Sequence, residues 1–228
     1  MSNRKHDPEN KFEYFSTPTS VVNDLLNLGV LIGSTSVLEP CAGTGNIIKT
    51  LRQTGYDHHI TAVEINQDHE EKCLLTSPDL LVIGNFLNEK LINEHTIGTF
   101  DLIICNPPFS NIERFIEKCW HLLNFSGQLC VILRLGHLVG VKRGKFLRTY
   151  RPSSINILSH RPSFTEGVLN SGDIGGYCWL IWEKPLIEPH RDTIVKWIRP
   201  ENPDWDRRNN VGDERTEKKN RMIINQKE

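Results

Sequence analysis

Apolar positions recur along this chain in two periods, and the period changes from stretch to stretch. In "YFSTPTSVVNDLLNLGVLIG", Val21, Val22, Leu25 and Leu26 fall at helical spacing, with Thr17 and Pro18 where an N-cap and a first helical residue belong. "TSVLEP" reads as a short buried strand stopped by proline. "GNIIKTLRQTG" reads as a helix that starts after a glycine turn and ends at Gly55. "HITAVEIN" is a strand, "QDHEEKCLLT" a short helix, and "DLLVIGN" and "TFDLIICNPP" are strands. "NIERFIEKCWHLLNFSG" predicts an amphipathic helix closed by Gly127, with Ile112, Phe115, Ile116, Cys119 and Leu123 on one stripe. "GQLCVILRL", "PSSINILS" and "GYCWLIWEK" complete a set of seven strand candidates.

Strands alternate with helices, and most strands are apolar without interruption. That is the pattern of an α/β fold with a mostly parallel sheet covered by helices on both faces. The last two strand candidates have no clear helix between them, so they are expected to pair antiparallel at one edge. No internal repeat interrupts the pattern. Residues 1–13 are polar and expected to be a flexible N-terminus, residues 14–185 form the folded domain, and residues 186–228 are an extension expected to be partly disordered. Basic and acidic residues balance from Glu201 onward, so this tail is not a basic arm.

The length of 228 residues suits one domain with a small appendage. No stretch approaches the roughly 20 apolar residues of a membrane helix, and the N-terminus has no apolar signal core. A cytoplasmic protein, bacterial or in a phage-infected host, is expected. The six cysteines form no C-x-x-C pair and several lie in apolar runs, so buried thiols are expected, with no disulfide framework and no metal. The nine histidines are scattered and none has partners at ligand spacing.

The net charge of −1 conceals an asymmetry. No acidic residue lies between Glu117 and Glu166, an interval that holds Lys118, Arg134, Lys142, Arg143, Lys145, Arg148, Arg151 and Arg161. A stretch of one sign is suited to phosphates, hence to a nucleic acid. The competing explanation is a solvated face whose acidic partners come from elsewhere in the fold.

The turn "VLEPCAGTGNI" joins the first strand to the first helix behind it. Gly43 and Gly45 let the backbone approach a ligand closely, and Glu64 ends the next strand 19 residues on (64 − 45), where a carboxylate can hold ribose hydroxyls. Lys49 and Thr50 stand where a dinucleotide fingerprint wants its third glycine, and the G-K-[ST] of a P-loop is missing. The expected ligand carries a ribose without a pyrophosphate, which S-adenosylmethionine does.

Four stretches, in this order, resemble the S-adenosylmethionine-dependent amino-methyltransferases, and most of all the DNA adenine-N6 methyltransferases of bacterial and phage type. Phe15-Ser16-Thr17-Pro18 is similar to the family's F-x-T-P element. Glu39-Pro40-Cys41-Ala42-Gly43-Thr44-Gly45 is similar to its cofactor loop, Gly84-Asn85-Phe86-Leu87 to its G-D-F-L element, and Asn106-Pro107-Pro108-Phe109 to its catalytic N-P-P-[YF]. A weaker likeness continues through "RLGHLVGVKRGKFL" to "GGYCWLIWEK". The likeness covers about residues 14–185 and implies a Rossmann-like methyltransferase fold with S-adenosylmethionine as cofactor. On it, Phe15, Thr17, Glu39, Pro40, Ala42, Gly43, Gly45, Glu64, Asn85, Phe86 and Asn106 are expected at the cofactor, and Asn106, Pro107, Pro108 and Phe109 at the reaction. Asn85 departs from the family's Asp, so its carbonyl must accept without a charge.

An aromatic exocyclic amine is a poor nucleophile because its lone pair is delocalised. Two acceptors, the Asn106 side-chain oxygen and the Pro107 carbonyl, can hold both N–H bonds and favour a pyramidal nitrogen. The fixed φ of proline makes the carbonyl direction rigid, and Phe109 offers a face for an extruded base. Arg134, Lys142, Arg143, Lys145, Arg148, Arg151 and Arg161 are expected to contact nucleic acid, with Phe164 of "HRPSF" lining the base pocket or the core. The same chemistry also suits adenine in RNA or the amide of a protein glutamine. A non-catalytic subunit that retains the fold is the third possibility.

Overall fold

A computed structural model describes residues 15–94, 98–160, 162, 164, 175–185 and 192–198. Among the described residues eight strands form one sheet: β1 (Ser36–Glu39), β2 (His59–Glu64), β3 (Leu80–Ile83), β4 (Phe100–Cys105), β5 (Leu123–Arg134), β6 (Ser154–Leu158), β7 (Tyr177–Glu183) and β8 (Ile194–Ile198), in the order β3-β2-β1-β4-β5-β7-β6-β8. Every neighbouring pair is parallel except β5·β7 and β6·β7, so β7 alone runs against the rest. The fold is the α/β, Rossmann-like methyltransferase fold.

Two expectations are corrected here. The sheet has eight strands rather than seven, and the eighth lies beyond residue 185. The antiparallel strand is interior rather than at an edge. Strand β7 is buried along six of its seven residues, because it fills the gap between β5 and β6, while β8 forms the rim and leaves Trp197 exposed.

Six α-helices among the described residues flank the sheet: α1 (Thr19–Leu26), α2 (Asn46–Gln53), α3 (Glu70–Leu74), α4 (Glu89–Glu94), α5 (Ile112–His121) and α6 (Val141–Thr149). Alternate residues of each central strand face opposite layers. Leu102 and Ile104 pack with Val22 and Leu25 of α1 and Ile47, Ile48 and Leu51 of α2. Ile103 and Cys105 pack with Ile112, Phe115, Ile116 and Cys119 of α5. A buried indole bond, Trp179 Nε1 donating to the Val21 carbonyl at 3.0 Å, ties β7 to α1.

Local chemistry shifts several predicted boundaries. Thr17 is not an N-cap: α1 begins at Thr19 behind Pro18, with no side-chain cap. Helix α5 ends at His121, and Leu123 belongs to β5, where its residue pairs with Phe100 before a register shift. Ser126 takes φ 62° in that irregular stretch. Helix α6 was not expected, because Gly144 sits inside it and its apolar positions are few. It is held by tertiary contacts instead: Phe146, Leu147 and Tyr150 pack on the layer beneath, and Trp182 Nε1 donates to the Tyr150 carbonyl at 3.0 Å. Among the described residues, no helix is long and apolar enough to cross a membrane.

Candidate active site

The carboxyl ends of parallel strands point to one side of the sheet, and there the chain leaves each strand in a turn that carries polar groups. After β1 comes the glycine turn, with Gly43 at φ 56° and Gly45 at φ 81°. Gly45 caps α2 in the left-handed region, and a Cβ there would lie 2.9 Å from Cγ2 of Thr76. Both facts require glycine. Glu64 at the end of β2 holds this turn in place: its Oε2 accepts the Gly43 N–H at 2.6 Å and its Oε1 accepts the Asn66 N–H at 2.8 Å. His69 Nδ1 lies 3.4 Å from the same Oε1.

These turns enclose a cavity of about 300 Å³. Of the residues expected at the cofactor, Phe15, Thr17, Glu39, Pro40, Ala42, Gly43, Glu64, Asn85, Phe86 and Asn106 line it, while Gly45 lies one residue behind the wall. Ser16, Asn46, His69 and Arg114 also line it and were not singled out in the sequence. Ser16 and Asn46 had a signal, since each sits inside or next to a quoted motif. His69 and Arg114 had none, because only the folding of α3 and α5 brings them round.

Glu39 is a buried carboxyl in the cavity wall. It is 2% exposed, and its Oε2 has no hydrogen-bond partner among the described residues. Burial pushes its carboxyl well above the ordinary range, the Ile48 N–H pulls it back, and the Glu64 charge pushes it up again. Asn85 is exposed and its Oδ1 accepts the Leu87 N–H at 2.9 Å, which leaves one lone pair on that oxygen. Phe86 is buried and stacks on Phe115, ring centroids 5.4 Å apart.

Asn106 follows β4 directly. Its Nδ2 donates to the Phe15 carbonyl at 3.0 Å and to the Thr17 hydroxyl at 3.2 Å. Pro107 is buried, Pro108 lines the cavity, and the Pro108 carbonyl accepts the Asn111 N–H at 3.2 Å. Phe109 lies beyond the cavity in an aromatic cluster. Its ring centroid is 4.6 Å from His137 and 6.2 Å from Phe15. Phe164 packs on Tyr177 at 4.6 Å, and it touches the core as well.

The basic interval divides in the fold. Arg134 donates through Nε to the Tyr177 hydroxyl at 2.9 Å and lies over the Phe109 ring, 5.6 Å from its centroid, so it belongs to the aromatic cluster. Arg143 faces Glu113 of α5 at 3.4 Å and fastens α6 to α5, aided by Tyr150 donating to Glu117 at 3.2 Å. Lys142, Lys145 and Arg148 are exposed and share one face of α6 at intervals of three residues. Arg151 is exposed just beyond it. Arg161 lies outside the described residues.

All six cysteines are free, and Cys41 is the only one not fully buried. At Cys105 burial raises the thiol well above its ordinary range, so a thiol rather than a thiolate precedes Asn106. Among the described residues, no group of His, Cys, Asp and Glu is placed to hold a metal ion.

A mostly parallel sheet in this strand order, with a glycine turn after β1 and an acidic residue ending β2, is the Rossmann-like fold of S-adenosylmethionine-dependent methyltransferases. Residues 25–138 match the family of the methyltransferase small domain, half of the chain, and the chain belongs to that family. The type II methyltransferase M.HincII of Haemophilus influenzae is 30% identical over 103 residues, 45% of this chain and 18% of the relative. The chain thus matches less than a fifth of that relative's length. A class I S-adenosylmethionine-dependent methyltransferase structure from Listeria monocytogenes superposes with a TM-score of 0.62 at 18% identity, covering 80% of this chain and 65% of that one. The M protein of the type I restriction enzyme EcoKI gives 0.60 at 18% identity, covering 85% and 50%.

Proposed function

We propose that the protein transfers a methyl group from S-adenosylmethionine to the N6 amine of adenine in DNA. One observation carries this: the cavity wall runs without a break from Glu39 and the glycine turn to Asn106 and Pro108, so donor site and amine acceptors adjoin. The residues present fit the cofactor. The partnerless Oε2 of Glu39 suits an ammonium, and an ammonium beside it would remove the cost of burying that carboxylate. Gly43 permits close approach. Glu64 keeps free lone pairs for ribose hydroxyls, and the remaining lone pair of Asn85 suits the adenine amine.

The cofactor supplies an electrophilic methyl group on a sulfonium sulfur. Asn106 Oδ1 and the Pro107 carbonyl accept the two N–H bonds of the target amine and aim its lone pair. The amine nitrogen forms the new N–C bond as the C–S bond breaks, and its surplus proton passes to water. Phe109, flanked by His137 and Arg134, offers the face on which the extruded base rests. Lys142, Lys145, Arg148 and Arg151 reach phosphates beside it. The exposed basic face of α6 favours nucleic acid over a protein amide, and the 30% likeness to the type II methyltransferase M.HincII supports DNA.

Incubation with methyl-labelled S-adenosylmethionine and DNA, RNA or cell protein, followed by mass spectrometry, tests this. N6-methyladenine in DNA, abolished in Asn106→Ala, is the expected result. Label in RNA or glutamine alone overturns it, and no label with cofactor binding intact points to a non-catalytic subunit.

A further inference from the structure

A carboxamide has two ends of nearly the same shape and opposite hydrogen-bonding character. Rotated by half a turn, Asn106 would present an NH₂ to the substrate amine, and donor would meet donor. Something must choose the end. The Phe15 carbonyl at 3.0 Å can only accept, and the Thr17 hydroxyl at 3.2 Å has lone pairs to offer. The hydroxyl could also donate, so it is the Phe15 carbonyl that excludes the carboxamide oxygen from this side, and Thr17 then accepts the second hydrogen of the NH₂.

We propose that Thr17 is a positioning residue that holds the Asn106 carboxamide in the orientation the Phe15 carbonyl selects. This rests on the reading above, in which the Asn106 oxygen accepts the substrate amine. Thr17 is 4% exposed, so water does not readily replace it. Thr17 is not the cap of α1, whose N-cap position is Pro18. Proline fixes the chain direction at this point. Successive side chains in an extended segment point to opposite sides. Accordingly Ser16 accepts from Asn46 Nδ2 at the glycine turn while Thr17 accepts from Asn106. One short segment thereby ties the cofactor loop to the reacting amide across 89 residues of sequence.

The test compares Thr17→Val, which keeps the shape and removes the acceptor, with Thr17→Ser, which keeps the acceptor. Thr17→Ala replaces valine if that variant does not fold. The Asn106 side-chain amide is followed by ¹H–¹⁵N NMR, assigned by its disappearance in Asn106→Ala, and S-adenosylhomocysteine affinity by calorimetry. In Thr17→Val the amide protons are expected to exchange faster. Single-turnover methyl transfer slows about tenfold, as loss of one neutral hydrogen bond implies. S-adenosylhomocysteine affinity falls by less than the rate does, because Thr17 also lines the cavity, and Thr17→Ser restores the amide exchange and the rate. An unchanged Asn106 amide in Thr17→Val overturns the proposal. So does an equal defect in Thr17→Ser, or a rate loss matched by loss of S-adenosylhomocysteine affinity. If the amide responds as stated and the wild-type protein methylates none of DNA, RNA or protein, the proposed function falls and the positioning stands.

Discussion

Arg134 and Tyr177 are cross-strand partners on β5 and β7, and Arg134 Nε donates to the Tyr177 hydroxyl at 2.9 Å. The guanidinium is thereby held over Phe109 rather than released toward solvent. On the proposed function, an arginine fixed in this way would meet the base resting on Phe109 rather than the phosphates. Arg134→Gln is expected to slow methyl transfer about tenfold, as loss of a charge-assisted contact implies, with little change in the salt dependence of DNA binding. The triple variant Lys142→Gln, Lys145→Gln, Arg148→Gln is expected to do the opposite. It flattens the slope of log K against log salt by about 2.7 for duplex DNA, three phosphate contacts at about 0.9 each. A salt titration of both variants decides whether the basic interval works in two parts.

Glu39 is costly to ionise, because burial raises its pKa. An acid with a raised folded-state pKa favours folding most when protonated, and that advantage disappears as pH rises above about 4.5. Glu39→Gln removes the ionisation. The variant is therefore expected to melt higher than wild type at neutral pH without cofactor, with the gain vanishing below about pH 4. It is also expected to bind S-adenosylmethionine more weakly. Thermal melts across pH and a binding titration read the two effects separately, and a lower neutral-pH melting temperature would contradict the first.

Asp101 is the second residue of β4 and fastens its start. Oδ2 accepts from the Thr35 N–H at 3.0 Å, the Thr35 hydroxyl at 2.8 Å and the Ser36 hydroxyl at 3.2 Å, while Oδ1 accepts from Asn124 at 2.8 Å. Partial burial pushes this carboxyl up, but the hydrogen bonds outweigh it and hold the pKa at about 2. A lowered pKa stabilises above the unfolded value and is lost as pH falls toward the folded one. Asp101→Ala is expected to cost about 2 kcal/mol near neutral pH, with the difference from wild type shrinking between about pH 4 and pH 2. Denaturant unfolding at several pH values measures it.

Gly45→Ala tests the glycine turn. At φ 81° an alanine is strained, and its Cβ would meet the Thr76 side chain. A loss of about 1–2 kcal/mol in stability is expected, together with weaker cofactor binding. Unaltered melting and binding would show that the turn tolerates a side chain.

Much of the architecture was legible because burial writes it into the residue pattern. The strands leading to the site, from "TSVLEP" to "TFDLIICNPP", are apolar runs cut by proline or glycine, and such runs leave little alternative to a buried parallel strand. The site turns were legible for a related reason: Gly43, Gly45 and the two prolines after Asn106 are choices that backbone geometry forces. Helix α6 was illegible. Its propensity is low, Gly144 interrupts it, and the contacts that hold it come from Glu113, Glu117 and Trp182, at a distance in the chain.

The residues by themselves determined the α/β class, the order of the motifs, the apolar faces and the chemical types gathered at the strand ends. These depend on local geometry and on burial, which act residue by residue. Tertiary structure alone decided the eighth strand, the interior place of β7 and the division of the basic interval into Arg134 over Phe109, Arg143 on Glu113 and an exposed face on α6. It also decided what Asn106 turns toward. A side chain's partner is set by what the fold brings within about 3 Å, and no spacing along the chain records that distance.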